Sequence, residues 1–302
     1  MYHLATISPP VRRVRIPVSR DQAMLLMLAS NQILLGLETY LAHLISGTIV
    51  PNEWIPIYFG PVAGVLLLVA GLLALHNRPL ATLIATTVFL ASAVVGLLGA
   101  YFHLVRAILP SAPAGEAVSV PLLVWAPPIL GPLTFALVGL LGISAAWVED
   151  PPDSGTLVLL GGRRLRLPYS KTQAYFFTIG MGSLATVISS VLDHARTEFA
   201  NPWLWLPTAV GVFATVVAVV LGATDRPSRG DLITYAVAMI LMIAVGVLGT
   251  ILHVNQNLTA TGTIVGERFL RGAPFLAPLL FADIGTLGLI VLLDPAAEGV
   301  GG

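Results

Sequence analysis

The chain is a succession of apolar blocks, each about 20 residues long, separated by short polar stretches. A helix rises about 1.5 Å per residue, so about 20 apolar residues cross the hydrocarbon core of a bilayer. Such blocks recur at roughly 22–46, 56–75, 80–105, 121–147, 173–194, 204–223, 231–254 and 274–293. Helix-ending clusters lie between them: Pro51-Asn52, Asn77-Arg78-Pro79, Pro110 to Pro113, Pro151-Pro152, Asn201-Pro202 and Asp225-Arg226-Pro227. Of the 302 residues 56% are hydrophobic and only 10% charged, against about 25% charged in soluble domains. The mean hydropathy of +0.90 agrees. The expected fold class is an all-α polytopic membrane protein with eight transmembrane helices in a lipid bilayer.

The formal net charge is zero, which gives no footprint for nucleic acid. The absence of cysteine excludes disulfides, thiolate metal sites, iron–sulfur clusters and c-type heme attachment. The first 20 residues carry arginines but no short apolar core with a small-residue cleavage site, so they read as a cytoplasmic tail. With the N-terminus inside, the cytoplasmic segments hold Arg12, Arg13, Arg15, Arg20, Arg78, Arg163, Arg164, Arg166, Lys171, Arg226 and Arg229. The outer segments hold only Arg106, Arg196, Arg268 and Arg271. The positive-inside rule favours this orientation, with both termini cytoplasmic and the chain multi-pass in the cell membrane.

The two halves repeat. GLLGAYFH at Gly96–His103 returns as GVLGTILH at Gly246–His253. Pro128 and Pro132, followed by Leu, Phe-Ala and Gly at fixed offsets, return at Pro274 and Pro278. An even number of spans per half gives both halves one orientation, as in parallel repeats related by an axis along the membrane normal. The expected organisation is a tail at 1–20, a four-helix repeat at 21–150, a cytoplasmic linker at 151–171, a second four-helix repeat at 172–294 and a tail at 295–302. In the linker, TLVLL, Gly161-Gly162 and RRLRL predict a β-hairpin over 156–167. It is a stiffened linker or a docking element for a partner or anionic lipid headgroups.

The odd-numbered spans all run outward, and each carries a histidine near its outer end: His43, His103, His194 and His253. The spacing is 60 residues in the first half and 59 in the second. Two imidazoles facing across a bundle can take both axial positions of a heme iron. Positions four and seven residues before a histidine share its helical face. On spans three and seven these are Gly96, Gly99, Gly246 and Gly249, which leave room for a flat cofactor or for another helix backbone. Span one offers Thr39 and Gly36 there, and span five Ser190 and Val187. The alternatives are a non-heme metal or proton-handling role, and histidines that only hydrogen-bond to loops.

The histidine pairs, the length and the duplicated four-helix pattern resemble heme A synthase. The resemblance implies that a duplicated bis-histidine bundle for b-type heme is a workable membrane design. That family places its histidines on even-numbered spans and has a glutamate close before an His-Arg pair. Here the histidines fall on odd-numbered spans, Glu38 precedes His43 by five residues, and Leu44 follows. Many members also carry an outer cysteine pair, absent here. The family's oxygenase-like chemistry is therefore not carried over.

Glu38 and Asp283 lie about 13 Å inside their spans at the rise of a helix, with no arginine or lysine at that level. Carboxyls so placed are either protonated or face a polar cavity. Arg106 follows His103 by three residues and Arg196 follows His194 by two, which suits them to heme propionates. The leading expectation is a membrane protein binding up to two b hemes near its outer face. It would pass electrons, with quinone and a redox partner subunit as the candidate partners implied by that class. A transporter or channel for protons or a metal ion, and a non-catalytic membrane subunit of a larger complex, are the alternatives.

Overall fold

The computed structural model describes residues 4–7, 18–45, 47–112, 119–259 and 264–293. The expected tail at 295–302 and most of the tail at 1–20, including Arg12, Arg13 and Arg15, lie outside the described residues. The first half contains α1 (Leu4–Ile7), α2 (Arg20–Leu44), α3 (Trp54–Leu73), α4 (Arg78–His103), α5 (Val120–Trp125) and α6 (Leu130–Ala146). The second contains α7 (Lys171–Ala195), α8 (Trp205–Gly222), α9 (Arg229–Thr259), α10 (Glu267–Arg271) and α11 (Leu279–Val291). Among the described residues six helices, α2, α3, α4, α7, α8 and α9, are long and apolar enough to cross a membrane.

The other two expected spans are shorter than their hydropathy suggests. The block at 121–147 breaks into α5 and the 17-residue α6. Pro127 and Pro128 supply no backbone N–H, and a proline pushes the residue before it out of helical geometry. Ala126 is accordingly extended at ψ 167°. The block at 274–293 yields a 13-residue α11, because Pro274 to Pro278 fold as turns ahead of it.

In the first half α2 packs on α3, α3 on α4, α4 on α6, and α6 back on α2. In the second half α7, α8, α9 and α11 pack in the same cyclic order. The halves meet where α6 packs on α7, and where α11 touches α2. Met24, Leu28, Phe89, Phe176, Tyr235 and Met239 are fully buried between the helices. Large apolar residues such as Leu34, Leu72, Leu97, Val220 and Ile251 are exposed on the outward faces, where lipid tails would cover them.

A three-stranded antiparallel sheet joins the halves: β1 (Val148–Glu149), β2 (Thr156–Val158) and β3 (Arg164–Arg166), in that order. The predicted hairpin is β2–β3, with Leu157 opposite Leu165. Gly161 and Gly162 make its turn at φ 76° and 75°, where residues with a Cβ are strained. The strand β1 was not expected from sequence.

At the hairpin end, the starts of α2 and α7 are built alike. Ser19 and Gln22 form a capping box on α2, and Ser170 and Gln173 form one on α7. The first helical residue of each is a buried cation, Arg20 or Lys171. Each cation reaches across to the second residue of the other helix. Arg20 Nη1 donates to Thr172 Oγ1 at 2.6 Å, and Lys171 Nζ donates to the Asp21 carboxylate. The Tyr175 hydroxyl also donates to Asp21 (2.6 Å), and Lys171 Nζ donates to the Trp147 carbonyl (2.6 Å). Two residues counted in sequence as surface positive charge are thus interior, at 2% and 4% exposure.

Breaking one side of a buried ion pair costs about 3–5 kcal/mol, whereas replacing both partners by apolar groups is often tolerated. Lys171→Met should therefore lower the thermal unfolding midpoint in detergent by more than the double variant Asp21→Leu/Lys171→Met does. Equal losses in the two would show that the pair is not the brace described.

Candidate functional site

Four half-buried histidines stand at the end opposite the sheet. His43 lies in the last turn of α2, and His194 in the last turn of α7. His103 ends α4, which continues as a π-helical turn over Leu104–Ile108. Single π turns occur often at functional sites, and this one carries Arg106 away from the regular helix face. His253 lies within α9, which runs on to Thr259.

Each histidine is anchored through Nδ1. His43 bonds the Thr39 carbonyl at 2.8 Å, His103 the Pro128 carbonyl at 2.8 Å, and His253 the Pro274 carbonyl at 3.0 Å. His194 Nδ1 lies 3.4 Å from Ser190 Oγ. A carbonyl only accepts, so in the neutral ring the three carbonyl-bound histidines carry hydrogen on Nδ1 and the lone pair on Nε2. Such an anchor is what orients metal-ligating histidines. The rings of His43 and His103 lie 6.2 Å apart, centre to centre, at 63°. His194 and His253 lie within electrostatic reach of each other.

The two repeated motifs turn out to be partners. On α4, His103, Gly99 and Gly96 descend one face, and Pro128 just ahead of α6, with Pro132 and Ala136 on α6, meets it in register. A Cβ added at Gly96 would meet Ala136 N at 2.5 Å, and one at Gly99 would meet Pro132 Cβ at 2.7 Å. In the second half Gly246 faces Ala282 N at 2.5 Å, and Gly249 faces Pro278 Cβ at 2.8 Å. The groove is filled by a helix backbone. This corrects the assignment of Gly96, Gly99, Gly246 and Gly249 as cofactor contacts: they permit the helix approach that brings a proline carbonyl under His103 and under His253. Gly36 on α2 serves packing as well, since an added Cβ would meet Pro61 Cδ at 2.4 Å. Val187, where the second half departs from that pattern, fits against Gly211 of α8.

Two carboxylates beside the pairs were not singled out from sequence. Glu53 Oε1 lies 3.8 Å from His43 Nε2, and Glu53 is within electrostatic reach of His103. Asp193 is in reach of both His194 and His253. They occupy unrelated positions in the two halves, so repeat alignment could not reveal them. Among the described residues no three histidine or carboxylate side chains already stand together as an ion-binding group.

The outer arginines sit at this end. With the Asn52 amide oxygen turned toward it, Arg106 donates from both Nη atoms at 2.9 and 3.0 Å, and it stacks over Phe102. Arg196 Nε donates to the Val124 carbonyl at 2.7 Å, tying α7 to α5. Arg271 pairs with Glu267 at 3.1 Å. Deeper in, Asp283 Oδ2 accepts from the Asn31 amide at 2.9 Å, joining α11 to α2, while its Oδ1 is buried with no hydrogen-bond partner among the described residues. Glu38 is exposed on the flank of α2, two turns beyond Asn31.

Overpacking at a close helix contact costs about 1–3 kcal/mol. Gly99→Val should lower the unfolding midpoint, while Gly71→Val, where no atom lies within 4 Å of an added Cβ, should cost far less. Equal effects would mean that the α4–α6 approach does not depend on Gly99.

Compared with protein-family models, curated proteins and solved structures, the chain matches none.

Proposed function

We propose that the protein is a multi-pass electron carrier of the cell membrane, built as two tandem four-helix repeats with the hairpin end in the cytoplasm. Each repeat holds one b-type heme between two histidines near the outer face, His43 with His103 and His194 with His253. The observation that carries this reading is the first pair. A ligand nitrogen lies a little over 1 Å from its ring centre, and metal–nitrogen bonds run about 2.0–2.1 Å, so imidazoles on opposite sides of one metal have centres about 6 Å apart. The 6.2 Å separation of His43 and His103 fits that spacing. Their Nδ1 anchors fit the ligand tautomer.

Heme, when bound, supplies a one-electron couple. The chain supplies the rest. Backbone carbonyls hold His43, His103 and His253 in orientation, Arg106 lies on the π turn that follows His103, and the buried helix faces exclude water from below. Quinol as electron source and a partner subunit as acceptor complete the proposal. A second reading, proton or metal-ion transport, is favoured by Asp283, whose second oxygen is buried and unpaired, and by the exposed Glu38. Proton flux in proteoliposomes that Asp283→Asn abolishes would support it.

In the heme reading, His43→Ala and His103→Ala should each lose about one heme of two, and the double variant should be little worse, because both act on one site. His253→Ala should add to His103→Ala. Heme content unchanged in His103→Ala, or non-additivity across the halves, would contradict the assignment of pairs. Arg106→Ala and Arg196→Ala should lower the midpoint potential, because a nearby positive charge favours the reduced form. Unchanged potentials in both would remove these arginines from the site.

A further inference from the structure

The sheet at the other end has a second use. The register places Glu149, Leu157 and Leu165 on one face and Arg164 and Arg166 on the other. On the first face Glu149 is buried and accepts from the backbone N–H of Asp153 (2.9 Å), Gly155 (2.7 Å) and Lys171 (3.0 Å). Strand β3 is exposed along its length. Arg163 at the turn, Arg164 and Arg166 are all exposed, and Leu165 and Tyr169 are exposed beside them. Arg164 bridges Asp150 at 2.7 Å and is still more than half exposed. Strand β3 is an edge of the sheet.

The sheet cannot swing away from the helix ends. Strand β1 begins two residues after α6 stops, and Glu149 holds the first backbone N–H of α7. In a chain whose helices cross a bilayer, the sheet therefore rests at the level of the lipid headgroups. Guanidinium groups there meet phosphate in a two-pronged geometry, and leucine and tyrosine suit the same interfacial layer. We propose that the β2–β3 hairpin is a docking element for anionic phospholipid headgroups, held by Arg163, Arg164 and Arg166. Position favours lipid over an acidic protein, because the bilayer surface is the one partner the fold always places beside the hairpin. The inference rests on the membrane-spanning reading and not on heme.

The test uses the purified full chain and native mass spectrometry with phosphatidylglycerol or phosphatidylcholine. Arg163→Gln/Arg166→Gln removes two cations and keeps the Arg164–Asp150 bridge. Each basic residue near an anionic surface contributes enough that losing two should weaken phosphatidylglycerol binding about tenfold or more, with phosphatidylcholine unchanged. Wild-type protein that binds both lipids equally, or a variant that keeps full phosphatidylglycerol binding, overturns the proposal and leaves an acidic protein as occupant. If the variant does not fold, the wild type in nanodiscs answers the question. A dicarbonyl reagent should modify Arg163 and Arg166 more slowly in phosphatidylglycerol discs than in phosphatidylcholine discs, and equal rates overturn the inference.

Discussion

The reciprocal grip of Arg20 on Thr172 and of Lys171 on Asp21 sets the frame for everything above it. Two buried cations are expensive to desolvate, and the opposite helix supplies each with an acceptor. The crossing therefore fixes the starts of α2 and α7 against each other at one level. From Arg20 to His43 and from Lys171 to His194 the count is the same 23 residues, or about 35 Å of helix. The brace at one end thus sets the depth of two histidines at the other. Asn31 and Asp283 add a second polar tie between the halves partway up.

The other two histidines are placed by a different device. Glycines on α4 and α9 admit α6 and α11 to backbone contact, and the first proline of each repeated motif then offers its carbonyl to the histidine. Pro128 and Pro274 therefore do two things. They end the preceding segment, and they fix the imidazole tautomer. The short α6 and α11 follow from the same prolines, so the loss of helix length is coupled to construction of the site.

The long apolar helices were legible in sequence because hydropathy and length in a bilayer are nearly sufficient. The histidines stood out because polar groups recurred at equal spacing in apolar surroundings. Less legible was whatever depended on a partner distant in the chain. Arg20 and Lys171 look like surface charges until Asp21 and Tyr175 are brought to them. Gly96 and Pro132 were each visible as repeat markers, but nothing local says that one packs on the other. Glu53 and Asp193 have no counterparts between the halves, so the repeat that revealed the histidines concealed them. Strand β1, two residues long, leaves no periodic pattern to read.

The proposed function centres on two imidazole pairs, and the first, with rings 6.2 Å apart and both Nδ1 atoms on backbone carbonyls, fits the axially ligated iron proposed for it. The most direct measurement is electron paramagnetic resonance of the purified wild-type protein, with its heme-to-protein ratio, after expression with heme available. The expected result is two b hemes per chain, both low-spin and bis-imidazole in character. A folded protein that carries no heme, or whose iron is high-spin in both sites, would contradict it.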